Sequence, residues 1–239
     1  MRAFETEKTE VAEIDRSVYD IKDKVNAAFE VNSGLTAEIV EQISKEKHDP
    51  DWMREFRLKA LDIYNKASIP NWGPSLEGLD MRNIVTYVRP NTEMRGKWSE
   101  VPDDIKNTFE RLGIPQAERS SLAGVGAQYD SEVVYHNVKE EVAAQGVVYT
   151  DMESALTGPY ADMVKEHFMK CVPPTDHKFA ALHGAVWSGG SFVYVPAGVH
   201  VDIPLQSYFR LNAPGAGQFE HTLILSLIHI SEPTRLLSI

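Results

Sequence analysis

The uneven distribution of charged side chains is the feature that most limits how this chain can fold. Residues 1–175 carry 31 acidic and 21 basic side chains, so about 30% of them are charged. Residues 176–225 carry five, namely Asp176, Lys178, Asp202, Arg210 and Glu220. This change, marked by Val172-Pro173-Pro174, predicts a domain boundary near residue 175.

The weakly charged stretch has the periodicity of β-structure. Apolar residues alternate with other residues from Val199 to Gln206, and an apolar run at 192–195 lies between turns that contain glycine and proline. Short strands of this kind suit a sandwich, a cupin-like barrel or the first coils of a β-helix. The period alone does not choose among the three.

The region before the boundary is predicted to be mostly helical. Residues 1–34 are expected to form a flexible charged arm, and residues 35–175 a mixed, mainly helical domain. Thr36 is suited to cap a helix from Ala37 to about Lys47, and Asp49-Pro50 to serve as N-cap and first residue of the next helix. Further helices are predicted at about 102–112, 115–121, 138–145 and 159–170, and strands at 84–88, 132–135 and 147–150.

Composition excludes several classes of function. A net charge of −11 argues against a nucleic-acid or anionic-membrane surface, because neutralising phosphates needs a basic face. The single cysteine excludes an iron–sulfur cluster held by this chain's thiolates alone, since such clusters usually take four. The sequence shows neither a secretory signal nor an apolar run of about 18 residues, so we expect a cytoplasmic protein without a membrane span.

Two sets of residues have the spacing of metal ligands. His200 and Asp202 share one face of a strand, and His221 is a third candidate for a two-histidine, one-carboxylate iron site of a cupin-type oxygenase. His167 and Cys171 would share one face of a helix, where a soft metal can bind. Two ligands do not close a site, so we interpret that second pair as packing of a buried helical face.

Two further motifs are weaker indicators of function. Gly124-Val-Gly126 lacks the preceding strand and the later glycine of a dinucleotide-binding loop and is interpreted as a turn. Arg210 and Asn212 share a strand face, which means little if that face is solvated. Alternation from Val199 places Phe209 with the apolar residues, so an inward Arg210 requires a corner or bulge near Ser207.

Long segments of the chain resemble one protein family. They are DPDWMREFRLKALDIYNK (49–66), IPNWGPSLEGLD (69–80), RLGIPQAERSSLAGVGAQYDSEVVYHNV (111–138) and the stretch from His177 to Ile224. These segments resemble the SufB branch of the SufB/SufD family, the scaffolds of the SUF iron–sulfur assembly system. The N-terminal helical segments follow the SufB pattern, which argues against a purely structural SufD-like partner.

The resemblance implies a fold and a function. It implies an α+β chain with a mostly helical N-terminal domain, followed at 176–225 by the first coils of a right-handed parallel β-helix. It implies a scaffold without turnover of its own that assembles an iron–sulfur cluster transiently. The implied partners are a SufC ATPase, SufD and a sulfur donor of SufE or SufU type, with reduced flavin associated in some systems. It also implies that Arg210 and Asn212 point into the β-helix and serve sulfur transfer or cluster assembly.

The last residues depart from the family. The segment SLIHISEPTRLLSI bears no likeness to it, so residues 226–239 are expected to be a non-native tail on a truncated sequence. Family members continue well beyond this point and include there the cysteine, glutamate and histidine residues that help to hold the cluster. Such a fragment is expected not to assemble a cluster alone. The alternative function remains the cupin-like iron oxygenase.

Overall fold

The described parts of the chain form an α+β fold, as the sequence predicts. A computed structural model describes residues 27–73, 75–111 and 122–226. Within these ranges it contains seven α-helices, two short 3-10 turns and eight strands. The predicted helix at 115–121, residues 1–26 of the predicted arm and residues 227–239 of the predicted tail lie outside the described residues.

The helices lie mainly in the first two thirds of the chain. They are α1 (Ala37–Glu46), α2 (Asp51–Lys66), α3 (Asp103–Arg111), α4 (Glu140–Ala143), α5 (Met152–Thr157), α6 (Ala161–His167) and α7 (Lys178–Val186), with 3-10 turns at Met81–Asn83 and Trp98–Glu100. No helix in the described ranges is long and apolar enough to pass through a bilayer.

The strands form three open sheets. They are β1 (Ala27–Glu30), β2 (Val88–Pro90), β3 (Gly124–Tyr129), β4 (Glu132–Val138), β5 (Val148–Asp151), β6 (Ser191–Val195), β7 (Leu205–Arg210) and β8 (Leu223–Ser226). The first sheet pairs β1 with β2, the second has the order β4-β3-β7, and the third has the order β5-β6-β8. In the two larger sheets one pair is antiparallel and the other, β3 with β7 or β6 with β8, is parallel.

The start of α1 follows the sequence prediction. The Thr36 hydroxyl accepts a hydrogen bond from the Ile39 amide at 3.3 Å, which satisfies one of the free donors of the first turn. The start of α2 is displaced by one residue, because Pro50 and not Asp49 is its N-cap. The Asp49 carboxylate instead binds the buried guanidinium of Arg57, with Oδ2 2.6 Å from Nε.

The interpretation of Gly124-Val-Gly126 as a turn is wrong. Both glycines lie in β3, the central strand of its sheet, and all six residues of this strand are buried. A Cβ atom at Gly124 would lie 2.6 Å from the Tyr149 ring, and one at Gly126 would lie 2.9 Å from the Tyr149 hydroxyl. The glycines therefore allow Tyr149 of the neighbouring sheet to approach β3 closely.

Helix α7 lies where the sequence predicts the beginning of the β-rich region. His177 caps it, since the His177 Nδ1 atom accepts hydrogen bonds from the amides of Phe179 and Ala180, each at 3.1 Å. Most of the helix is buried, and it packs on α1 and α2 through Leu182 and neighbouring apolar residues. The helix that opens the weakly charged segment thus shares a core with the helices that precede the predicted boundary.

The β-rich region alternates between the two larger sheets. The chain passes from β6 in the third sheet to β7 in the second and returns to β8, which lies parallel to β6. Phe192 pairs with Leu223, and Gly124 pairs with Leu205. The strands do not close into a barrel within the described ranges, so the architecture gives no support to a cupin-like barrel.

Candidate functional site

Arg210 and Asn212 lie at the end of β7, and both are buried. Arg210 is 9% exposed and Asn212 is 3% exposed, whereas Phe209, which precedes Arg210 on the strand, is 40% exposed. The alternation that starts at Val199 fails because residues 199–204 form no strand, and regular pairing begins only at Leu205. Alternation counted from Val199 predicts that Arg210 faces solvent, whereas the structure places it in the interior.

Asp130 fixes the backbone that carries these two residues. Its carboxylate oxygen Oδ1 accepts hydrogen bonds from the amides of Asn212, at 2.6 Å, and Ala213, at 2.8 Å. The Asp130 amide donates to the Arg210 carbonyl oxygen at 2.8 Å. Asp130 lies in the turn between β3 and β4 with φ of +52°, a conformation that aspartate tolerates better than most residues. The side chain and the backbone amide of Asp130 thus hold the chain on both sides of Leu211.

Two glutamines extend this polar interior. The side-chain amides of Gln128 and Gln218 donate to the Asp130 carbonyl oxygen at 3.1 and 3.0 Å. The Gln128 side-chain oxygen accepts from the Gly190 amide at 2.8 Å. A Cβ atom at Gly189 would lie 2.2 Å from that oxygen, and Gly189 has φ of +70°, so this turn requires glycine.

A buried charge network lies next to the turn at Gly189. Lys47 Nζ is 2.8 Å from Glu132 Oε2 and 2.7 Å from Glu153 Oε1, and the Lys47 side chain is only 4% exposed. The Gly189 amide donates to Glu153 Oε1 at 2.6 Å, and the Tyr87 hydroxyl donates to Glu132. The network therefore joins the end of α1, β4, α5 and the 188–190 turn.

Burial and charge act in opposite directions within this network. Burial acts to lower the pKa of Lys47, but Glu153 and Glu132 outweigh it and raise that pKa. Burial acts to raise the pKa of Glu153, but the Lys47 charge and its hydrogen bonds outweigh it and lower that pKa. Burial and Glu132 together raise the pKa of Tyr87. All three groups keep their ordinary protonation states at neutral pH.

The three candidate ligands of an iron oxygenase are not brought together. His200 Nε2 lies 3.1 Å from Asp202 Oδ1, and both side chains are more than three-quarters exposed. His221 is instead half-buried against Phe168 and hydrogen-bonded to His183. Across the described residues, no three His, Cys, Asp and Glu side chains are grouped to hold a metal ion. The oxygenase prediction therefore lacks its site, because the i and i+2 pair lies on the surface.

His167 and Cys171 are not two positions on one buried helical face. Helix α6 ends at His167, and Cys171 follows it in an exposed turn. The interpretation of this pair as buried packing is therefore wrong for Cys171. Both residues line a cavity of about 420 Å³ between the end of α6, helix α7 and the segment that enters β8.

The resemblance to the family predicts Arg210 and Asn212 as site residues, whereas Asp130 and Gln128 beside them are not predicted from the sequence. Asp130 lies in a two-residue turn with Ser131, a pairing typical of turns, which hides its contact with a residue 82 positions away. Gln128 lies on β3, whose glycines resemble a turn in the sequence. What the site can do chemically follows from its buried arginine, because a guanidinium is a group that can hold an anion.

A family model and several curated proteins match this chain. The model described as the SufBD protein N-terminal region matches residues 37–207. The iron–sulfur cluster assembly protein SufB of Bacillus subtilis is 53% identical over 207 residues, which cover 87% of this chain and 44% of that protein. A SufBD family iron–sulfur cluster assembly protein of Staphylococcus haemolyticus is 50% identical over 208 residues, with the same coverage.

A longer relative matches the chain at a similar level of sequence identity. An iron–sulfur cluster assembly SufBD family protein of Mycobacterium bovis is 48% identical over 222 residues, which cover 92% of this chain but 26% of that protein. The chain thus spans less than half the length of these curated relatives. The family model includes β3, β4 and the turn between them, and it ends at residue 207, before Arg210 and Asn212.

Proposed function

Because the chain belongs to the SufBD family, we propose that it acts in iron–sulfur cluster assembly as part of a SUF scaffold and not as an enzyme with its own turnover. The relatives named as iron–sulfur cluster assembly proteins support this role. The cluster is then cargo that is built and passed on. Since this chain spans only part of each relative, the proposal concerns the whole scaffold to which such a segment contributes.

We propose that residues 176–225 lead into a right-handed parallel β-helix after an N-terminal domain at 35–175, with α7 packed on that domain before the first strand of this segment. The alternation of β6, β7 and β8 between two sheets supports this proposal, because a β-helix places successive strands on different faces and stacks equivalent strands in parallel. Phe192 and its partner Leu223 are 31 positions apart, a separation that would correspond to one coil. In that arrangement, further coils would cover the β7 and β8 edges.

The burial of Arg210 and Asn212 is the observation that carries the proposed role of this site. An arginine is costly to bury unless an anion or another polar group meets it. We propose that Arg210 attracts an anionic sulfur species and that the Asn212 amide donates a hydrogen bond to it. Asp130, with its two hydrogen bonds to the Asn212 and Ala213 amides, holds the backbone in place for both.

The family also supplies the proposed partners. We propose that the scaffold works in the cytoplasm with a SufC-type ATPase, a SufD-type partner and a SufE- or SufU-type sulfur donor, and that reduced flavin accompanies the complex. This chain alone is proposed not to hold a stable cluster, because it has one cysteine where clusters usually take four thiolates. No geometry in the described residues favours the oxygenase as a second candidate.

The test of the site is a substitution in the full-length scaffold. Arg210→Ala is expected to lower the yield of assembled cluster at least about tenfold while SufC and SufD still co-purify, since the charge is lost from the interior and not from a docking surface. Cluster is measured by visible absorbance and by iron and sulfide content after anaerobic assembly. The matched control is Arg82→Ala, because the Arg82 side chain is 89% exposed and pairs with Asp80 in a local turn.

The outcomes distinguish the proposed role of Arg210 in sulfur transfer from the proposed role of the whole protein as a scaffold. An unchanged cluster yield in Arg210→Ala would remove Arg210 from the transfer path while leaving the scaffold role intact. A fall in yield accompanied by loss of the partners would indicate damage to the complex instead. Failure of the unmodified full-length protein to support any cluster would contradict the scaffold role itself.

A further inference from the structure

Gln128 is a buried side chain whose hydrogen bonds reach two separate turns. It lies on β3 and is 1% exposed. Its amide nitrogen donates to the Asp130 carbonyl oxygen at 3.1 Å and to the Ser188 carbonyl oxygen at 3.4 Å. Its side-chain oxygen accepts from the Gly190 amide at 2.8 Å. One side chain therefore joins the β3–β4 turn to the turn that precedes β6.

Asp130, at one end of this bridge, binds the segment that connects β7 with β8. Its amide donates to the Arg210 carbonyl oxygen, and its carboxylate accepts the amides of Asn212 and Ala213. Its carbonyl oxygen also accepts the side-chain amide of Gln218 at 3.0 Å. Because Asp130 has φ of +52°, which costs energy in a residue other than glycine, contacts from outside the turn are needed to hold it.

We propose that Gln128 is a positioning residue for the proposed sulfur-transfer site, because it fixes the turn that holds the backbone from Arg210 to Ala213. This inference rests on the proposed function of Arg210 and Asn212. Gln128 acts through Asp130, and it is assigned no contact with the sulfur species. The turn at 188–190 is the support from which Gln128 holds Asp130 in place.

The 188–190 turn is suited to be the fixed end of this bridge. All three of its residues are buried. The Gly189 amide donates to Glu153 Oε1 at 2.6 Å, and the same oxygen lies 2.7 Å from Lys47 Nζ. A buried ion pair therefore holds this turn from the side opposite to Gln128. A shift of the β3–β4 turn relative to it would break the hydrogen bonds of Gln128 inside the protein, where they are costly to lose.

A side-chain amide suits both ends of the bridge. The contacts require an acceptor for the Gly190 amide and a donor for the Asp130 carbonyl oxygen. A glutamine amide offers both, whereas an ionised carboxylate can only accept. A protonated carboxylic acid again has one donor and one acceptor. Gln128→Glu therefore keeps the shape of the side chain but makes its donor depend on pH.

Charged groups on the elements around Gln128 bear on the carboxyl group that Gln128→Glu introduces. They are the carboxylates of Asp130, Glu132, Asp151, Glu153 and Glu220, the cations Lys47 and Arg210, and the histidines His136 and His221. Burial lowers the pKa of His136 to about 4 and that of His221 to about 3, so neither adds a positive charge at pH 5 or above. Carboxylates thus outnumber cations, and together with burial they raise the pKa of the introduced carboxyl group above its ordinary value of about 4.3.

Amide hydrogen exchange in the intact chain tests whether Gln128 fixes this backbone. At pH 8, Gln128→Glu is expected to lower the protection of the Asn212 and Ala213 amides at least about tenfold, because the ionised side chain cannot donate to Asp130. At pH 5, protonation of the introduced carboxyl group is expected to restore most of that protection relative to the unmodified chain. Gln128→Met has no donor at either pH, so its loss of protection should not recover.

Gln145→Glu is the matched control, because Gln145 is exposed and its side chain donates locally to the Glu141 carbonyl oxygen. The Ile43 amide in α1 reports unfolding of the whole chain, since Ile43 is fully buried in the core of the helical region. A loss of protection at Asn212 no larger than that at Ile43, an equal loss in the control, or no recovery of Gln128→Glu at pH 5 overturns the proposal. If Gln128→Glu does not fold at pH 8, the comparison of Asn212 with Ile43 in Gln128→Met decides.

The full-length scaffold tests whether this positioning serves cluster assembly. Gln128→Glu is expected to lower the cluster yield at pH 8 at least about tenfold while the partners still co-purify, because a small misplacement of reacting groups is costly. Gln145→Glu should leave the yield unchanged. An unchanged yield in Gln128→Glu, where Arg210→Ala lowers it, overturns the positioning role. If Arg210→Ala also leaves the yield unchanged, the proposed function of the site fails instead, and the exchange data alone decide whether Gln128 holds this segment.

Discussion

The Asp130 carboxylate lies 2.6 Å from the Asn212 amide nitrogen and thereby joins the β3–β4 turn to the end of β7. The same oxygen accepts the Ala213 amide at 2.8 Å, and Asp130 is 5% exposed. This carboxylate oxygen anchors both amides, and its removal leaves both donors without their acceptor. The geometry of the Arg210 segment therefore depends on a residue in another part of the chain.

We expect Asp130→Ala to destabilise the chain by about 2–4 kcal/mol, because two hydrogen bonds to a charged acceptor are lost inside the protein. Asp130→Asn should cost less, since its amide oxygen still accepts and asparagine tolerates positive φ. Urea denaturation measures the free energy of unfolding, and hydrogen exchange should show loss of protection at Asn212 and Ala213. Asp202→Ala is the control, because Asp202 is 85% exposed. Equal effects of the two alanine variants would contradict the anchoring role.

Lys47→Met is expected to destabilise the chain by about 3–5 kcal/mol, because it leaves two mostly buried carboxylates, Glu132 and Glu153, together without a cation. Adding Glu132→Gln and Glu153→Gln to Lys47→Met should recover part of this loss. The control is Lys66→Met, since Lys66 is 74% exposed and its pair with Asp62 contributes about 1 kcal/mol or less. Thermal or urea unfolding compares the variants. A Lys47→Met effect no larger than that of the control would rule out the network as a stabilising element.

The stability of the chain should fall as the pH is lowered from about 6.5 to about 4, in part through His136. Burial lowers the pKa of His136 to about 4 from an ordinary value of 6.5. The unfolded chain therefore takes up a proton at higher pH than the folded chain, which favours unfolding as the pH falls. Replacing this imidazole by His136→Phe should reduce the loss of stability across this window by up to about 3 kcal/mol. Urea denaturation at pH 7.5 and 4 tests this, with His200→Phe as the control at a histidine whose side chain is 78% exposed.

Gly124→Ala should destabilise the chain by about 1–3 kcal/mol through overpacking. The added methyl group would lie 2.6 Å from the Tyr149 ring, 2.9 Å from Leu205 and 3.0 Å from the Asn137 carbonyl oxygen, and the last of these is backbone that cannot rotate away. Gly96→Ala is the control, because nothing lies within 4 Å of the position that its added methyl group would take and its φ is not positive. If both substitutions change the unfolding free energy equally, the close approach of Tyr149 to β3 does not matter for stability.

Local signals in the sequence are enough to place several elements. Thr36 marks the start of α1 because its hydroxyl can cap the amphipathic stretch that follows, and the strand-like segment at 132–135 marks part of β4. Pro50 shows the usual limit of such reasoning. The pair Asp49-Pro50 resembles a cap and first residue, but the Asp49 carboxylate is used by Arg57, which is a tertiary contact that no local pattern contains.

Elements buried on all sides are the hardest to recognise. Strand β3 shows no alternation, because both of its faces are covered, and its glycines resemble a turn until Tyr149 is seen against them. Helix α7 is apolar around most of its surface for the same reason, so its helical period is hidden. The buried residues of the candidate site are equally hard to recognise from the sequence. Arg210 and Asn212 come from resemblance to a family, whereas Asp130 and Gln128 depend on pairing between distant strands.

The order in which β3 acquires its two neighbours has a consequence for synthesis of the chain. Strand β4 follows β3 after a two-residue turn, but the parallel partner β7 comes only after residues 139–204. At about 5–20 residues per second, a ribosome needs roughly 3 to 13 seconds to deliver that partner. Throughout this interval the nascent hairpin presents an unpaired, largely apolar strand edge, the kind of surface that chaperones cover and that other nascent chains can join.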